Sequence, residues 1–454
     1  MKILMTGATG FVGKELGKAL IRKGHELFVL TRNPVKAFTE LPFPAHLYAW
    51  PTHDKFLSQD LKNIEIVIHL AGESVASRWT AQKKKQIEDS RVLGTQLFLQ
   101  ALQNLNPPHL KAFLFASAVG YYGEKRDDIV DEGCLPGTGF LAEVCQKWEQ
   151  AMDNPFFAQI RKAIFRIGMV LGKQGGALEK ILPVFQAGLG GKLGNGKQWM
   201  NWIHLEDLVQ MFVDAVENQQ WQGVFNAVAP EPVINKVFTE TLAQVLEKRA
   251  FCHVPSLALK LAFGEMAQVV LASLRVVPKK IESVNFKFSY PQLSLALQNL
   301  VPARKGCQRF IQEQWIPKNR EEIFSFFSAA ENLEKLTPSW LNFHILSQLP
   351  LQKIEQGSLI DYRLKLHGIP IRWRTLIESF DPPHSFADIQ LKGPYQTWHH
   401  THFFESMGRG TLMIDEVYYQ LPLGKLGQWL GAAKVKSDIK KIFQYRREKI
   451  LELF

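Results

Sequence analysis

The sequence predicts an α/β protein in which a doubly wound parallel sheet comes first and an α+β domain follows. Three observations support this prediction. Short apolar stretches alternate with amphipathic stretches over roughly the first 300 residues, as strands and helices do around a parallel sheet. A glycine-rich turn directly follows the first apolar stretch. From about residue 307, short alternating stretches precede one long amphipathic segment.

The glycine-rich turn predicts a dinucleotide site. It lies between the first apolar stretch and an amphipathic helix that stops at Gly24. Gly7 allows the tight turn, Gly10 lets the backbone approach a pyrophosphate, and Gly13 lets the helix pack closely on the sheet. The helix N-terminus offers unpaired N–H groups to phosphates; a glycine turn that binds nothing is the alternative. The expected contacts in this Rossmann-like turn are Gly7, Thr9, Gly10, Phe11, Val12 and Gly13.

The second predicted strand, residues 26–31, indicates which dinucleotide binds. Sites selective for NAD carry an Asp or Glu near the end of this strand, where it holds the ribose 2′-hydroxyl. Here the strand ends in Thr31 and Arg32, with no acidic residue beside them. A guanidinium suits a 2′-phosphate because it is planar and always charged. We therefore expect NADP rather than NAD; a solvated surface Arg32 is the alternative.

Length and composition limit the class of protein. A chain of 454 residues is long for one domain, and 46% hydrophobic residues provide ample core. No stretch of 18 apolar residues occurs and the first strand begins at residue 2, so we expect neither a membrane span nor a signal peptide. The four cysteines are scattered without metal-binding spacing, which favours free thiols in a cytoplasmic protein.

The net charge of +11 does not by itself predict a nucleic-acid partner. Much of the excess lies in the last thirty residues and in Lys83–Lys85. Neither segment interleaves its charges with aromatic stacking residues in a nucleic-acid module. We expect a solvated helix face, no nucleic acid and no integral membrane contact. Loose contact with an anionic membrane or RNA is the alternative.

The α/β pattern continues beyond the second strand. Strands are predicted at 64–70, 110–116, 163–167 and about 199–203, and helices at 80–105 and 139–152. The strand at 64–70 is followed by a turn formed by Leu70, Ala71 and Gly72. The last two residues are small, so the backbone of this turn can lie against a nicotinamide ribose.

Together these segments resemble the extended short-chain dehydrogenase/reductases, in their NAD-dependent epimerase branch and its uncharacterised epimerase-like subfamily. The resemblance covers almost all of residues 1–300 and implies an NADP-binding reductase or epimerase of a small molecule. The matching stretches are Gly7–Gly13, His69–Glu73, Arg78–Thr80, Asp89–Arg91, Ser117–Gly123, Phe140–Cys145, Arg166–Gly172, Gly188–Gly196 and Trp202–His204. The implied NADP contacts are Thr31, Arg32, Leu70, Ala71, Gln86, Arg91 and Val170, where Arg91 replaces the family's usual Asn.

The catalytic positions depart from that family. Its members use a Ser or Thr, a Tyr that gives or takes the proton, and a Lys four residues later that lowers the pKa of the Tyr. With Glu149 aligned on the family's helix acid, the Tyr position is Leu141 and the Lys position is Cys145. With Tyr122 and Gly123 aligned instead, Ala118 occupies the Ser position, with Ser117 one residue earlier. A leucine cannot relay a proton, so the usual chemistry would need another donor.

Four residues near the predicted nicotinamide end of the sheet are candidates for that donor: Ser117, Tyr121, Tyr122 and Glu143. The two tyrosines could instead form a wall of the pocket. Glu143 could instead cap or pair on its own helix.

The region from about 172 to 300 is expected to form a substrate-side subdomain. His204 is expected to cap the helix that follows it rather than to act as a base. Arg166 and the glycine-rich residues 188–196 are expected to shape the substrate mouth. The Leu- and Ala-rich pattern of residues 255–277 predicts a pair of helices.

The composition changes near residues 301–306, a plausible linker between domains at 1–303 and 307–454. The second domain is predicted to contain one strand, two short helices, six strands and a long helix from about 425 to 453. This order resembles the helix-grip fold of START-like, polyketide-cyclase-like domains, through Gln314–Pro317, Asn332–Pro338 and Asp415–Val417. The resemblance implies a cavity for an apolar ligand. Its candidate lining residues, which could equally be plain core, are Trp373, Phe386, Trp398 and Phe403.

Three histidines within residues 398–402 raise the question of a metal site. On a strand, His400 and His402 share one face while His399 points away. No cysteine or carboxylate nearby in the sequence completes a tetrahedral set. We therefore expect a polar cavity lining and no metal.

Two classes of function fit these features. The first is an NADP-dependent reductase or epimerase-like enzyme with an unusual proton donor, whose second domain binds or presents an apolar substrate. The second is a non-catalytic NADP(H)-binding sensor whose state is read out by the second domain. The glycine turn supports both, the missing Tyr and Lys favour the sensor, and the well-formed substrate-side loops favour the enzyme.

Overall fold

The structure, a computed structural model, describes residues 1–51, 58–301, 304, 306–347, 354–422 and 424–454, with backbone alone at 424–430. The chain divides into two compact units, Met1–Pro34 with Ala45–Val301 and Val35–Pro44 with Pro302–Phe454. The linker expected at 301–306 lies partly outside the described residues. None of the described helices combines the length and the apolar character needed to cross a bilayer.

The first three hundred residues contain strands and helices in alternation. The strands are β1 (Lys2–Thr6), β2 (Glu26–Thr31), β3 (His46–Ala49), β4 (Ile66–His69), β5 (Ala112–Ala118), β6 (Ile129–Val130), β7 (Arg161–Ile167), β8 (Met169–Leu171), β9 (Gly191–Leu193), β10 (Trp199–Met200), β11 (Trp202–His204), β12 (Gly223–Ala227), β13 (Val233–Ile234), β14 (Cys252–Val254) and β15 (Arg275–Val276). The helices are α1 (Phe11–Arg22), α2 (Pro34–Glu40), α3 (Ala81–Leu105), α4 (Phe140–Gln150), α5 (Gly176–Gln186), α6 (Leu205–Glu217), α7 (Asn235–Val245), α8 (Ser256–Phe263), α9 (Ala267–Leu271) and α10 (Leu293–Leu300).

Seven of these strands form one parallel sheet in the order β12-β7-β5-β4-β1-β2-β3. The chain leaves β1 towards β2 on one side and later returns to β4 on the other. This reversal opens a crevice at the carboxyl ends of β1 and β4, where ligands of such sheets bind. The predicted parallel sheet and its Rossmann-like arrangement are therefore confirmed.

The core of the sheet forms because these strands are apolar on both faces. Leu4, Val67 and Phe113 pack in one cluster with Phe98 of α3 and Trp148 of α4. Outside this cluster, α1 packs against α6. A further cluster within 169–301 joins α5, α7 and α10, which gives the predicted substrate-side region a core of its own.

The stretch predicted as one strand at 199–203 forms two. β10 pairs antiparallel with β13, whereas β11 pairs parallel with β8. Asn201 lies between them, where its carbonyl accepts from the Met169 N–H at 2.6 Å and its side-chain oxygen accepts from the Val276 N–H at 2.9 Å. The prediction of a single strand was wrong because the backbone changes partners at this residue.

The second unit contains an antiparallel sheet of seven strands in the order β16-β22-β21-β20-β19-β18-β17. Its α13 contributes Ile439 and Phe443 to a cluster with Val417 and Tyr419 of β22. The helix-grip architecture itself stays a prediction. In chain order, the elements are β16 (Gln308–Ile316), α11 (Arg320–Phe327), α12 (Asn332–Lys335), β17 (His344–Ile345), β18 (Leu359–Leu366), β19 (Ile369–Asp381), β20 (Ser385–Lys392), β21 (Thr397–Met407), β22 (Gly410–Gln420) and α13 (Gly424–Leu453).

Candidate active site

The turn between β1 and α1 packs so tightly that it requires glycine. Gly7 has a φ of +74°, and a Cβ added there would lie 2.8 Å from the Leu70 carbonyl carbon and 2.9 Å from the Ala71 nitrogen. A Cβ on Gly13 would lie 2.3 Å from the Gly7 carbonyl oxygen. The β1–α1 turn therefore rests directly on the turn that follows β4, and the two together form a cradle made of backbone.

The N-terminus of α1 opens into this cradle. Gly10 is the N-cap residue, so no side chain accepts the first N–H groups of the helix. Thr9 and Val12 are half-buried beside the exposed Gly10. The Phe11 ring packs against the glycine turn 172–176, where a Cβ on Gly172 would come within 2.5 Å of it. The free N–H groups suit an anionic ligand such as a pyrophosphate.

Arg32 lies exposed at the carboxyl end of β2, directly after Thr31. Among the described residues it forms no hydrogen bond and no ion pair. The pKa of Glu73 is lowered chiefly by the hydrogen bond from Lys83, and the charges of Arg32 and Arg91 add to the effect. Arg32 therefore brings an available guanidinium to the same region as the turn after β4.

Arg91 stabilises the turn after β4 through contacts with its backbone. Its Nη1 donates to the Glu73 carbonyl at 2.9 Å, its guanidinium lies 5.0 Å from the Trp148 ring, and it contacts Gly72. Burial lowers the pKa of Arg91. Gln86 is exposed on α3, and Val170 is half-buried in β8. Arg91 is thus committed to backbone contacts, whereas the Gln86 side chain has no hydrogen-bond partner among the described residues.

A row of three polar residues lies across the neighbouring strands. Ser117 of β5 is in register with Arg166 of β7, which is in register with Asn226 of β12. Residues in register on adjacent parallel strands point to the same face. The row lies near the carboxyl ends of these strands, the edge where ligands bind.

This row is tied into one network by Glu149 of α4 and by Tyr122. The Ser117 hydroxyl donates to Glu149 at 2.6 Å. Arg166 donates to both carboxylate oxygens of Glu149, at 2.9 and 2.7 Å, and to the Tyr122 hydroxyl at 2.9 Å. The Tyr122 hydroxyl donates in turn to Asn226 at 2.7 Å.

Burial sets the electrostatics of the network. It raises the pKa of Tyr122 to about 12, although Arg166 opposes the effect. Burial acts to lower the pKa of Arg166, but the hydrogen bonds and the charge of Glu149 outweigh it and the pKa is raised. Near neutral pH the network therefore holds a neutral Tyr122 and a charged Arg166.

Tyr121 lies on the open side of the same network. The Arg166 guanidinium carbon is 3.4 Å from the centre of the Tyr121 ring, a cation–π contact. The ring is half-buried, and in the part of the chain that the structure describes its hydroxyl has no hydrogen-bond partner. Of the two tyrosines, Tyr121 is the one whose hydroxyl is available to a ligand.

Leu141 and Cys145 lie beside these tyrosines. A Cβ on Gly120 would be 3.5 Å from the Leu141 Cβ and 4.0 Å from the Cys145 sulfur. Burial raises the pKa of Cys145 to about 12, so the thiol is neutral. The two side chains therefore place an apolar surface and an uncharged group at the positions that the sequence analysis assigns to the phenol and the ammonium of the resembled family.

The other residues singled out in the sequence, Glu143, His204 and Arg166, differ in their relation to this network. Glu143 is exposed on the first turn of α4 and takes no part in the network as described. His204 caps α6, as expected: its Nδ1 accepts from the Glu206 N–H at 3.1 Å, and burial lowers its pKa to about 4. Arg166 lies inside the network and is 4% exposed.

Sequence reasoning did not assign Glu149 and Asn226 to the site. The signal for Glu149 was available, because its position on α4 was already used to align the missing Tyr and Lys. Asn226 belongs to no motif that can be recognised in the sequence. Only the register of β12 against β7 brings it to the row.

The second unit holds a cavity of about 200 Å³ between its sheet and α13. Its lining is mostly apolar and aromatic, and it includes Trp373, Phe386 and Trp398. Phe403 is 40% exposed, so it is neither lining nor core. The reason is the alternation of β21, which turns His402 and Phe404 inward and Phe403 outward.

Residues 3–227 match the family described as NAD dependent epimerase/dehydratase family. Residues 254–300 match a domain of unknown function, DUF1731. These matches cover the glycine cradle, the polar row and the end of the predicted substrate-side region.

Relatives and solved structures match the same part of the chain. An Arabidopsis thaliana protein, epimerase family protein SDR39U1 homolog, chloroplastic, is 37% identical over 306 residues, which are 66% of this chain and 87% of the relative. The Bacillus subtilis epimerase family protein YfhF is 35% identical over 306 residues, 67% of this chain and 99% of the relative. The crystal structure of human SDR39U1 isoform 2 with NADPH is 30% identical, covers 66% of this chain and 99% of that one, and has a TM-score of 0.59.

A UDP-glucuronic acid 4-epimerase from Bacillus cereus, solved with its sugar nucleotide and NAD, is similar in fold alone. It is 20% identical, covers 66% of this chain and 97% of that one, and has a TM-score of 0.53. The sheet order, the glycine cradle and the two curated relatives agree. The chain belongs to the NAD dependent epimerase/dehydratase family.

Proposed function

We propose that the protein is an NADP-dependent, epimerase-like oxidoreductase of a small molecule, in which Tyr121 gives or takes the proton. One observation carries the proposal: the backbone cradle lies beside a buried polar network that leaves the Tyr121 hydroxyl open to a ligand. The human relative solved with NADPH supports the choice of cofactor.

The residues of the cradle fit NADP. The uncapped N-terminus of α1 would hold the pyrophosphate, and Gly7 and Gly13 keep the approach free of side chains. Arg32 would pair with the 2′-phosphate, since no acidic residue at the end of β2 competes for the ribose. Bound NADP supplies or accepts the hydride at its nicotinamide.

Tyr121 is favoured as the proton donor by elimination within the network. The hydroxyl of Ser117 already donates to Glu149, and that of Tyr122 is held between Arg166 and Asn226. The guanidinium carbon of Arg166 lies 3.4 Å from the centre of the Tyr121 ring, and this cation–π contact fixes the position of the ring. Arg166 is therefore a positioning residue for the proposed donor.

The cofactor assignment is tested by titration calorimetry with NADPH and NADH. We expect the protein to prefer NADPH, and Arg32→Asp to shift the preference towards NADH. One charged contact contributes about 1.5–3 kcal/mol, so NADPH affinity should fall about ten- to a hundredfold. Arg249→Asp, another exposed arginine of the first unit, is the matched control. Equal affinity of the unchanged protein for both cofactors would contradict the assignment.

The donor is tested by hydride exchange between the bound cofactor and a pool of cell metabolites. Tyr121→Phe should lower kcat strongly and leave NADPH affinity unchanged, because a proton donor acts in the transition state. Tyr122→Phe is the comparison, because it removes a hydroxyl that is already used inside the network. Full turnover in Tyr121→Phe would remove Tyr121 as the donor.

A non-catalytic NADP(H) sensor is the second candidate. Leu141 and the neutral thiol of Cys145 favour it, because the usual proton donor and its cation are both replaced. Tight NADPH binding without hydride exchange from any metabolite pool would select the sensor. Restoring Leu141→Tyr with Cys145→Lys should not create activity, since Ala118 still lacks the third hydroxyl.

For the second unit we propose a START-like, helix-grip domain that binds an apolar ligand. The mostly apolar cavity between the antiparallel sheet and α13 supports this proposal. A fluorescent fatty-acid probe should bind to the full chain, and Ile442→Trp, which fills the cavity from α13, should weaken it. Leu391→Trp, at an exposed position of β20, is the control. Equal probe binding by all three proteins would refute a cavity ligand.

A further inference from the structure

The cavity of the second unit carries a cluster of buried polar side chains on one wall. His400 and His402 point inward from β21, and Asp388 lies on the neighbouring strand β20, in register with His400. All three line the cavity. His399 points away and contacts Glu378 at 2.8 Å, so it does not belong to the cluster.

The spacing of the three side chains matches that of metal ligands. The Asp388 Oδ2 lies 3.4 Å from the His400 Nδ1 and 3.7 Å from the His402 Nε2. All three ligand atoms lie within 4.8 Å of one another. Zinc bonds to nitrogen and oxygen at about 2.0–2.2 Å, which places tetrahedral ligand atoms about 3.4 Å apart.

Asp415 lies behind both imidazoles and decides which ring nitrogens face the cavity. Its Oδ1 is 3.1 Å from the His400 Nε2, with which it hydrogen-bonds, and 2.6 Å from the His402 Nδ1. The second contact is not aligned as a hydrogen bond. Arg446 lies 3.8 Å from the same oxygen and balances its charge. A carboxylate behind a metal-binding histidine fixes the tautomer and turns the other nitrogen towards the ion.

The consequence is that acceptor atoms face one another on this wall of the cavity. With its Nε2–H turned to Asp415, His400 presents the Nδ1 lone pair to the Asp388 carboxylate, and the His402 Nε2 lies 3.7 Å from the same carboxylate. These groups are largely buried, with side-chain exposures of 8%, 4% and 15% for His400, His402 and Asp388. The His400 lone pair and the Asp388 carboxylate repel each other at this distance, and a positive charge between them would remove the repulsion.

We infer that His400, His402 and Asp388 bind a divalent transition-metal ion of the zinc class, with the fourth position open to the cavity. Three protein ligands and one open position are typical of zinc sites that bind a further ligand. One carboxylate leaves the bound ion with a net positive charge, so the open position favours an anionic or carbonyl oxygen. The matching ligand has an apolar body and an oxygen at one end. This departs from the expectation of no metal, which rested on finding no nearby carboxylate that completes the ligand set. Asp388 completes it from the adjacent strand.

The inference is tested on the full chain after removal of metal by a chelator. Calorimetry with Zn²⁺ should show one equivalent bound, and Co²⁺ should give the intense visible absorption of a tetrahedral site. His400→Gln, His402→Gln and Asp388→Asn should each abolish the Co²⁺ spectrum. His399→Gln is the matched control and should keep both signals. Asp415→Asn should weaken the affinity by about 10–100-fold, the range for a group that orients a ligand.

The outcomes are separable from misfolding and from the cofactor site. A thermal melt of each metal-free variant shows whether it folds, and added Zn²⁺ should raise the Tm of the unchanged protein but not that of His402→Gln. If a variant fails to fold, X-ray absorption of the Zn²⁺-loaded unchanged protein should still show two imidazole ligands. No stoichiometric binding by the unchanged protein, or a tetrahedral Co²⁺ spectrum that survives in folded His402→Gln, would overturn the inference. NADPH binding plays no part in any of these readouts.

Discussion

At the scale of single residues, the ion pair between Arg166 and Glu149 shows how the site is held. Both side chains are nearly buried, with exposures of 5% and 11%. A buried pair adds little to stability compared with apolar residues, but loss of one partner leaves an uncompensated charge. Because Arg166 also contacts both tyrosines, the pair positions Tyr121, the proposed proton donor.

Glu149→Gln should therefore destabilise the protein by about 3 kcal/mol, the lower end of the range for breaking a buried pair. The measurement is denaturant unfolding of the first unit's transition. Glu143→Gln, an exposed change on the same helix, should stay within about 0.5 kcal/mol of the unchanged protein. Equal effects of the two substitutions would show that the Arg166 charge is not buried in solution.

His69 should make stability depend on pH. It is buried at the end of β4 between the hydroxyls of Thr6 and Thr95, at 2.8 and 3.0 Å, and burial lowers its pKa to about 4. The unfolded chain takes up the proton near pH 6.5 and the folded one only near pH 4. The contribution of neutral His69 to the free energy of unfolding is therefore fully present above pH 6.5. It falls by about 3 kcal/mol as the pH drops to 4.

The readout is the gap in unfolding free energy between the unchanged protein and His69→Gln. The variant lacks this proton uptake, so the gap should shrink as the pH falls through that window. A gap that stays constant between pH 6.5 and 4 would rule out a depressed pKa for His69.

At the scale of elements, local signals predict the boundaries well where a cap or a glycine fixes them. The predicted helix at 80–105 is observed as Ala81–Leu105, because the Thr80 side chain accepts from the Lys83 N–H at its start. The long helix predicted from about 425 to 453 is observed as Gly424–Leu453. These elements are specified by residues close to them in the chain.

Cross-strand register explains what the sequence could not provide. Asn226 reaches Tyr122, and Asp388 reaches His400, only because strands distant in sequence lie side by side. Register depends on packing of the whole sheet. The alternation of β21 predicts that His400 and His402 share a face, but no local pattern says which side chain of β20 stands opposite them.

The cradle offers a prediction at this scale. Gly13→Ala should abolish NADPH binding and destabilise the protein, since its Cβ would lie 2.3 Å from the Gly7 carbonyl and backbone cannot yield as a side chain can. Gly94→Ala, inside α3, is the matched control: its Cβ would meet only ordinary contact at 3.6 Å. That control should be neutral or stabilising by up to about 1 kcal/mol. NADPH binding retained in Gly13→Ala would argue against the cradle.

At the scale of the whole molecule, the proposed boundary cuts the chain once, between 303 and 307. The structure assigns Val35–Pro44 to the second unit, so this stretch precedes most of the unit to which it belongs. Each unit has its own apolar clusters. A single cut therefore gives a second piece that lacks ten residues of its unit.

We expect residues 1–303 and 307–454 to fold separately, because each contains a core of its own. Each piece, expressed alone, should melt cooperatively in calorimetry. The second piece should gain stability when a peptide of residues 35–44 is added in excess. Failure of either piece to show a cooperative melt would mean that the chain folds as one interlocked unit.

The neutral thiol of Cys145 has a consequence for chemical labelling. Cys145 is buried, and the raised pKa of its thiol leaves almost no thiolate at neutral pH. Alkylating reagents therefore reach the sulfur only when α4 detaches from the fold. Cys134 is partly exposed and reacts without such an opening. The ratio of the two alkylation rates therefore reports how often α4 opens, and a cofactor that binds against this helix would slow the first rate without changing the second.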